Sequence, residues 1–283
     1  MNKKQQLFFH IHLVSDATGE TLDTVARATT ACYNNHEAIQ HAYSLVRTSK
    51  QLERVFIEIE KQPGIVLFTM IDENLRRELE GHCARIGVPT VSILDPVITT
   101  LTSYLNVKSQ PVIGAQHNLN EDYFRRIDAL NFTMVHDDGQ HVQDLENADI
   151  VLIGISRTSK TPTSIYLANK GVKVANIPLL PEVKIPPQLE NLKSPLVVGL
   201  IASTERIAQI RRHRLDTLNE HTATLYSDRA AITKELNYMK KLCSRHNWPV
   251  LDVTRRSIEE TAAAILNLFK ESNNPQPATV FNV

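Results

Sequence analysis

Ala148-Asp-Ile-Val-Leu-Ile-Gly154-Ile-Ser156-Arg157-Thr158-Ser159-Lys160-Thr161-Pro162 runs from an apolar strand through a glycine into a polar loop, then to a Lys-Thr pair. An amphipathic helical pattern follows, with Ile165, Tyr166, Ala168 and Asn169. A phosphate loop needs this order. Loop amides and the positive helix end cradle an anion, a lysine neutralises the outer phosphates, and a hydroxyl meets Mg²⁺. The spacing from Gly154 to Lys160 and Thr161 fits G-x-x-x-x-G-K-[ST], except that Ser159 replaces the second glycine. A left-handed backbone at a non-glycine residue costs about 1–2 kcal/mol, so a path different from an ordinary loop of this kind is expected. Pro162 falls in the first helical turn, where amides lack helical partners. The competing reading is a Ser/Thr-rich turn that caps the helix, with Lys160 merely exposed.

Outward from this loop the chain alternates strand and helix. On the N-terminal side the pattern predicts strands at Phe8–Val14, Ala42–Val46, Ile65–Ile71 and Thr90–Leu94, and helices at Glu20–Tyr33, Ser49–Lys61, Glu73–Ile86 and Val97–Leu105. Lys108–His117, with Pro111 and Gly114, breaks the rhythm and marks an expected domain boundary. Beyond it a helix at Asp122–Leu130 and a short strand at Asn131–Val135 are expected. Strands at Ile150–Ile153, Lys173–Ile177, Leu196–Ile201 and Pro249–Val253 follow, with helices at Thr204–Asn219, Asp228–His246 and Ser257–Lys270. The fold class is α/β, with mostly parallel sheets flanked by helices. The expected division is an N-terminal α/β domain over 1–112, a C-terminal P-loop-like nucleotide-binding domain over 113–272, and a flexible tail over 273–283.

The 283 residues suffice for two modest domains. Basic and acidic residues balance at 31 each, so no global field favours nucleic acid or a membrane, and an anion must be captured locally. Arg211–Arg212–Arg214 and Arg255–Arg256 offer local positive charge, though such runs are usually solvated helix faces. The three cysteines, Cys32, Cys83 and Cys243, support neither a disulfide framework nor a zinc site. No apolar stretch approaches the roughly 20 residues of a membrane span. A cytoplasmic location is expected.

Asp137 and Asp138, at the end of the expected strand Asn131–Val135, are candidates for proton acceptance or metal holding; Asp-Asp-Gly is equally a common turn. Asp16-Ala-Thr-Gly19-Glu20-Thr21 also joins strand to helix but lacks a lysine, and Thr18 capping the helix explains most of it. His10 and His12 share a strand face, as two zinc ligands would, with no third ligand indicated by spacing.

The loop segment Gly154-Ile-Ser-Arg-Thr-Ser-Lys-Thr-Pro-Thr-Ser-Ile-Tyr-Leu-Ala-Asn-Lys-Gly171 resembles the signature of the bacterial pyruvate, phosphate dikinase regulatory protein family. The resemblance extends to His12-Leu-Val-Ser-Asp-Ala-Thr-Gly-Glu-Thr-Leu22, Gly114-Ala-Gln-His-Asn-Leu119 and Arg126-Ile-Asp-Ala-Leu-Asn131. It includes His136-Asp-Asp-Gly-Gln-His141 and Asp252-Val-Thr-Arg-Arg-Ser-Ile-Glu-Glu-Thr-Ala262, and so spans Phe8 to about Phe269. At Pro181-Glu182 the family pattern leads one to expect a glycine after the proline. The resemblance implies a bifunctional enzyme. One activity moves the β-phosphoryl of ADP to a Thr or Ser of the dikinase, inactivating it; the other removes that phosphate with inorganic phosphate, forming pyrophosphate. Phosphoenolpyruvate synthase is the alternative target, the one regulated by a sister branch. Carried over, nucleotide binding falls on Gly154, Ile155, Ser156, Arg157, Thr158, Ser159, Lys160 and Thr161. Lys160 and Arg157 would stabilise the transferring group, Asp137 or Asp138 would assist the proton, and Thr161 would meet Mg. A homodimer is the default expectation. The rival classes are a small-molecule kinase or NTPase and a non-catalytic ADP sensor.

Overall fold

The computed structural model describes residues 7–109, 112, 121–217 and 225–273. Most of Lys108–His117, all of Gly114–Leu119 and the tail from 274 lie outside them; Ser272 and Asn273 belong to the last helix. The chain divides into two compact units, Met1–Asn118 and Leu119–Val283.

The first unit runs β1 (Leu7–Ser15), α1 (Glu20–Thr30), β2 (His36–Tyr43), α2 (Ser49–Lys61), β3 (Ile65–Thr69), α3 (Glu73–Arg85), β4 (Thr90–Ser92) and α4 (Asp95–Leu105). Its four strands are all parallel, in the order β2-β1-β3-β4. Alternation along the central strands feeds two cores. Val14, Val66 and Phe68 pack with Leu52, Val55, Ile59 and Leu79 of α2 and α3. Ile11, Leu13 and Leu67, on the other face, pack with Leu22 and Ala26 of α1. Caps mark the helix starts: Thr48 accepts from the Gln51 amide and Asp72 from those of Asn74 and Leu75. At α1 the cap position belongs to Gly19, left-handed at φ 83°, one residue beyond the expected Thr18.

The second unit runs α5 (Glu121–Val135), β5 (Ile150–Gly154), α6 (Lys160–Ala168), β6 (Val174–Pro178), α7 (Pro187–Glu190), β7 (Leu196–Ile201), α8 (Thr204–Thr217), α9 (Arg229–His246), β8 (Val250–Asp252) and α10 (Ile258–Asn273). Its sheet is again parallel throughout, ordered β6-β5-β7-β8. β5 is buried along its whole length, as expected of a central parallel strand covered on both faces.

Two sequence expectations are corrected. Asn131–Val135 is not a strand but the last turns of α5. Its Phe132 and Val135 favour strand locally, yet Ala129, Phe132, Thr133 and His136 at helical spacing form one buried or partly buried face. That face covers the outer edge of β6: Thr133 Oγ1 accepts from the Val174 amide at 3.0 Å, and the His136 carbonyl accepts from the Asn176 amide at 3.0 Å. The strand expected at Ala42–Val46 instead occupies His36–Tyr43, paired along its length with β1. It is an edge strand, largely exposed, and its polar residues hide the apolar alternation that betrays an inner strand.

Candidate active site

The polarity of the second sheet decides where a ligand can sit. The chain leaves β5 toward β6 on one side and returns to β7 on the other, so strand order reverses beside the carboxyl end of β5. In open parallel sheets the crevice outside such a reversal is the usual binding site. Gly154 ends β5 there, and the loop Ile155–Ser159 carries the chain into α6.

The loop has an unusual path. Arg157 (φ 73°) and Ser159 (φ 60°) are both left-handed, a state that side-chain-bearing residues adopt only where their surroundings hold them. Ser159 is the cap position of α6, and its carbonyl accepts the first helical amide bond, from Thr163. Pro162 therefore occupies a position whose missing N–H costs nothing. Inside the loop, the Ile155 carbonyl accepts from Thr158 Oγ1 at 2.9 Å and from Lys160 Nζ at 3.0 Å.

Lys160 is only 7% exposed, which overturns the reading of it as a solvated lysine on a capping turn. Burial brings its ammonium down to about 8, against the opposing pull of Asp138 and Asp137; Arg211 and Arg157 add to the lowering. A cation so placed gains most when an anion arrives beside it.

Lys160 lines a cavity of about 440 Å³ together with Ser156, Arg157, Ser159, Thr161, Asp137 and Asp138. The aspartates reach it from the end of α5 through a short 3-10 turn, Asp137–Gly139, in which Asp138 is left-handed (φ 53°). The floor includes Asn176 of β6, a residue the sequence reading missed. Its amide nitrogen donates to Asp137 Oδ1 and, at 2.9 Å, to Thr161 Oγ1, while Thr161 Oγ1 donates to Asp137 Oδ1 at 3.1 Å. Among the described residues, Asn176 Oδ1 is buried without a partner. A polar residue in the otherwise apolar strand Val174–Pro178 is the signal that could have found it.

Five of the loop candidates, Ser156, Arg157, Ser159, Lys160 and Thr161, thus line one cavity with Asp137 and Asp138, whereas Gly154, Ile155 and Thr158 are buried and do not line it. Arg211, read as one of a solvated run, is 1% exposed and reaches the loop from α8, whereas Arg212 and Arg214 are exposed. Arg255 and Arg256 lie exposed after β8 and do not line this cavity.

In the first unit, the equivalent position beside Ser15 and Thr69 holds a smaller crevice of about 100 Å³. Asp16 and Glu20 line it, and Asp16 Oδ2 accepts from the Ile71 amide at 2.7 Å. Among the described residues its ionisable lining is acidic, unlike that of the loop site. His10 and His12 stack on His41 of β2. His12 is committed at both nitrogens, to Tyr43 Oη at 3.1 Å and the Gln62 carbonyl at 2.8 Å. Among the described residues, no group of three or more His, Cys, Asp or Glu side chains could hold a metal ion.

A family model described as kinase/pyrophosphorylase matches residues 11–266, which includes strands of both units and the whole loop site. The chain belongs to the kinase/pyrophosphorylase family. Among similar family members are proteins of Chelativorans sp. (strain BNC1), 58% identical over 94% of this chain and 97% of theirs, and of Bradyrhizobium diazoefficiens, 53% identical over 96% and 98%. A Brucella anthropi protein is 54% identical over 94% and 97%. All three carry, provisionally, the name pyruvate, phosphate dikinase regulatory protein. For a member of this family, a cavity lined by a buried lysine, an arginine and a helix start is suited to a phosphoryl group.

Proposed function

We propose that this chain regulates pyruvate, phosphate dikinase by two opposed phosphoryl transfers at the loop of the second unit. In one, ADP gives its β-phosphoryl to a threonine or serine hydroxyl of the dikinase, releasing AMP and a proton. In the other, inorganic phosphate attacks the phosphorylated side chain, restoring the hydroxyl and forming pyrophosphate. The observation that carries the reading is the convergence of Lys160, Arg157, Thr161 and the Asp137–Asp138 pair on one cavity in a kinase/pyrophosphorylase family chain. The names of its relatives support the target.

Phosphoryl transfer asks little covalent chemistry of a protein and much positioning and charge neutralisation. Loop amides at the start of α6 hold the phosphate oxygens, and Lys160 exchanges the Ile155 carbonyl for them. Arg157 adds a planar fork of donors. Asp137 or Asp138 accepts the proton of the attacking hydroxyl. The oxygens of Asp137 and Thr161 are hard donors of the kind Mg²⁺ takes. When bound there, Mg²⁺ would offset charge on the phosphates. Both reactions crowd anionic oxygens around one transferring group, so the same cations serve both.

Mass spectrometry of the dikinase after incubation with this protein and ADP tests the reading. One added phosphate on a single Thr or Ser, with AMP formed, is expected. ADP bound without modification would make the chain a sensor. Turnover of nucleotide without any dikinase would make it a small-molecule kinase, and modification of phosphoenolpyruvate synthase alone would shift the target.

A further inference from the structure

The phosphate loop is held from outside by a partly buried network centred on Arg211. Arg211 shares the inward face of α8 with Ile207 and Ala208. Its guanidinium meets the Glu235 carboxylate of α9 in a two-pronged pair, Nη1 to Oε1 at 3.0 Å and Nη2 to Oε2 at 2.7 Å. The same nitrogens donate to the carbonyls of Tyr226 (2.9 Å) and Ser156 (3.2 Å), and the guanidinium lies 4.6 Å from the centroid of the Tyr226 ring. Tyr226 belongs to the turn Leu225–Ser227. Its hydroxyl lies 3.0 Å from Ser156 Oγ and accepts from Arg157 Nε at 3.2 Å.

Arg157 needs such a hold. It is exposed and left-handed, and a long side chain on a backbone of that kind loses much rotamer freedom on binding an anion. We propose that Tyr226 is the positioning residue of Arg157, fixed in its turn by the buried Arg211–Glu235 pair. Tying down Nε leaves Nη1 and Nη2 as a pre-oriented pair of donors for phosphate oxygens, so part of the ordering cost is met before the ligand arrives. The electrostatics agree. Burial raises the Tyr226 phenol, but its bonds to Ser156 and Arg157 and the charges of Arg157 and Arg211 outweigh this and hold it below the ordinary value. The inference rests on the loop cavity being a phosphoryl site.

Calorimetric titration of pyrophosphate into the wild type, Tyr226→Phe, Arg157→Ala and the double variant tests it, with a dikinase phosphorylation assay run beside it. Tyr226→Phe keeps the ring over Arg211 and removes only the hydroxyl. Pyrophosphate binding is expected to weaken about tenfold, the size of one lost hydrogen bond to a charged group, with the melting temperature little changed. Arg157→Ala should weaken binding at least as much, and adding Tyr226→Phe to it should cost nothing more, because the residue being positioned is gone. Independent, multiplying losses would overturn the inference, as would wild-type affinity in Tyr226→Phe. A wild type that binds pyrophosphate and shows the coupling, yet phosphorylates no dikinase, would sustain the inference and contradict the proposed function. A wild type that does not bind pyrophosphate would end both.

Discussion

A Cβ built on Gly154 would stand 2.7 Å from the Leu200 carbonyl oxygen of the neighbouring strand and 2.9 Å from Thr158 Oγ1. The first of these cannot swing aside, because it is backbone in the paired strand β7. Gly154→Ala therefore forces β5 and β7 apart where the loop begins, and should destabilise the protein by about 1–3 kcal/mol, the range for overpacking a full core. Urea denaturation gives the number, and an unchanged midpoint would show that the root of the loop yields more easily than its contacts imply. Lys160 illustrates the opposite use of a residue. Its four-carbon stem is buried and its ammonium rests on the Ile155 carbonyl, a weak partner for a charge. A strong anionic partner, the phosphate of the proposed function, would have more to gain.

At the scale of elements, inner strands and amphipathic helices were legible because burial writes a period into the sequence. Ser49–Lys61 is a helix with the limits its pattern predicts, and Leu52, Val55, Phe56 and Ile59 are its buried residues. What escaped was decided by partners distant in sequence. Asn131–Val135 is helical because β6 needs its outer edge covered, and β2 is a strand because β1 offers it an edge. Glu235 drew no notice for the same reason: it looks ordinary until Arg211 of α8 is brought against it, whereas Asn176 stood out as a polar residue in an apolar strand. The β1–β2 pairing also builds a pH dependence. His12 is buried, and that burial lowers its pKa below 6.5; the Gln62 carbonyl opposes the shift, His41 and His10 add to it, and Glu58 opposes it. The unfolded chain therefore binds this proton more readily than the folded one. The contribution of His12 is complete above pH 6.5 and is lost as pH falls through its lowered folded value. Denaturation midpoints of the wild type should drop from pH 7.5 to pH 5.5, and the slope should be shallower in His12→Phe. Equal slopes for the two proteins would contradict this origin.

The whole molecule repeats one architectural idea with different chemistry. Each unit has four parallel strands with a reversal beside its first strand, and each presents a crevice at that reversal. Asp16 and Glu20 mark the first, whereas the second adds a buried lysine and an arginine to its aspartates. With 31 basic and 31 acidic residues overall, no net charge draws an anion to the protein, so the proposed anion site depends on charge gathered at the loop. Among the described residues no helix is long and apolar enough to cross a membrane. The central claim is that one loop serves both directions of phosphoryl transfer. Its most direct test compares wild type and Lys160→Ala in two assays: phosphorylation of the dikinase from ADP, and pyrophosphate release from the phosphorylated dikinase supplied with inorganic phosphate. Loss of one buried cation facing the transferring group should cost about 3 kcal/mol, so both rates should fall about a hundredfold or more in a folded variant. A folded Lys160→Ala protein that loses one activity and keeps the other at the wild-type rate would contradict it.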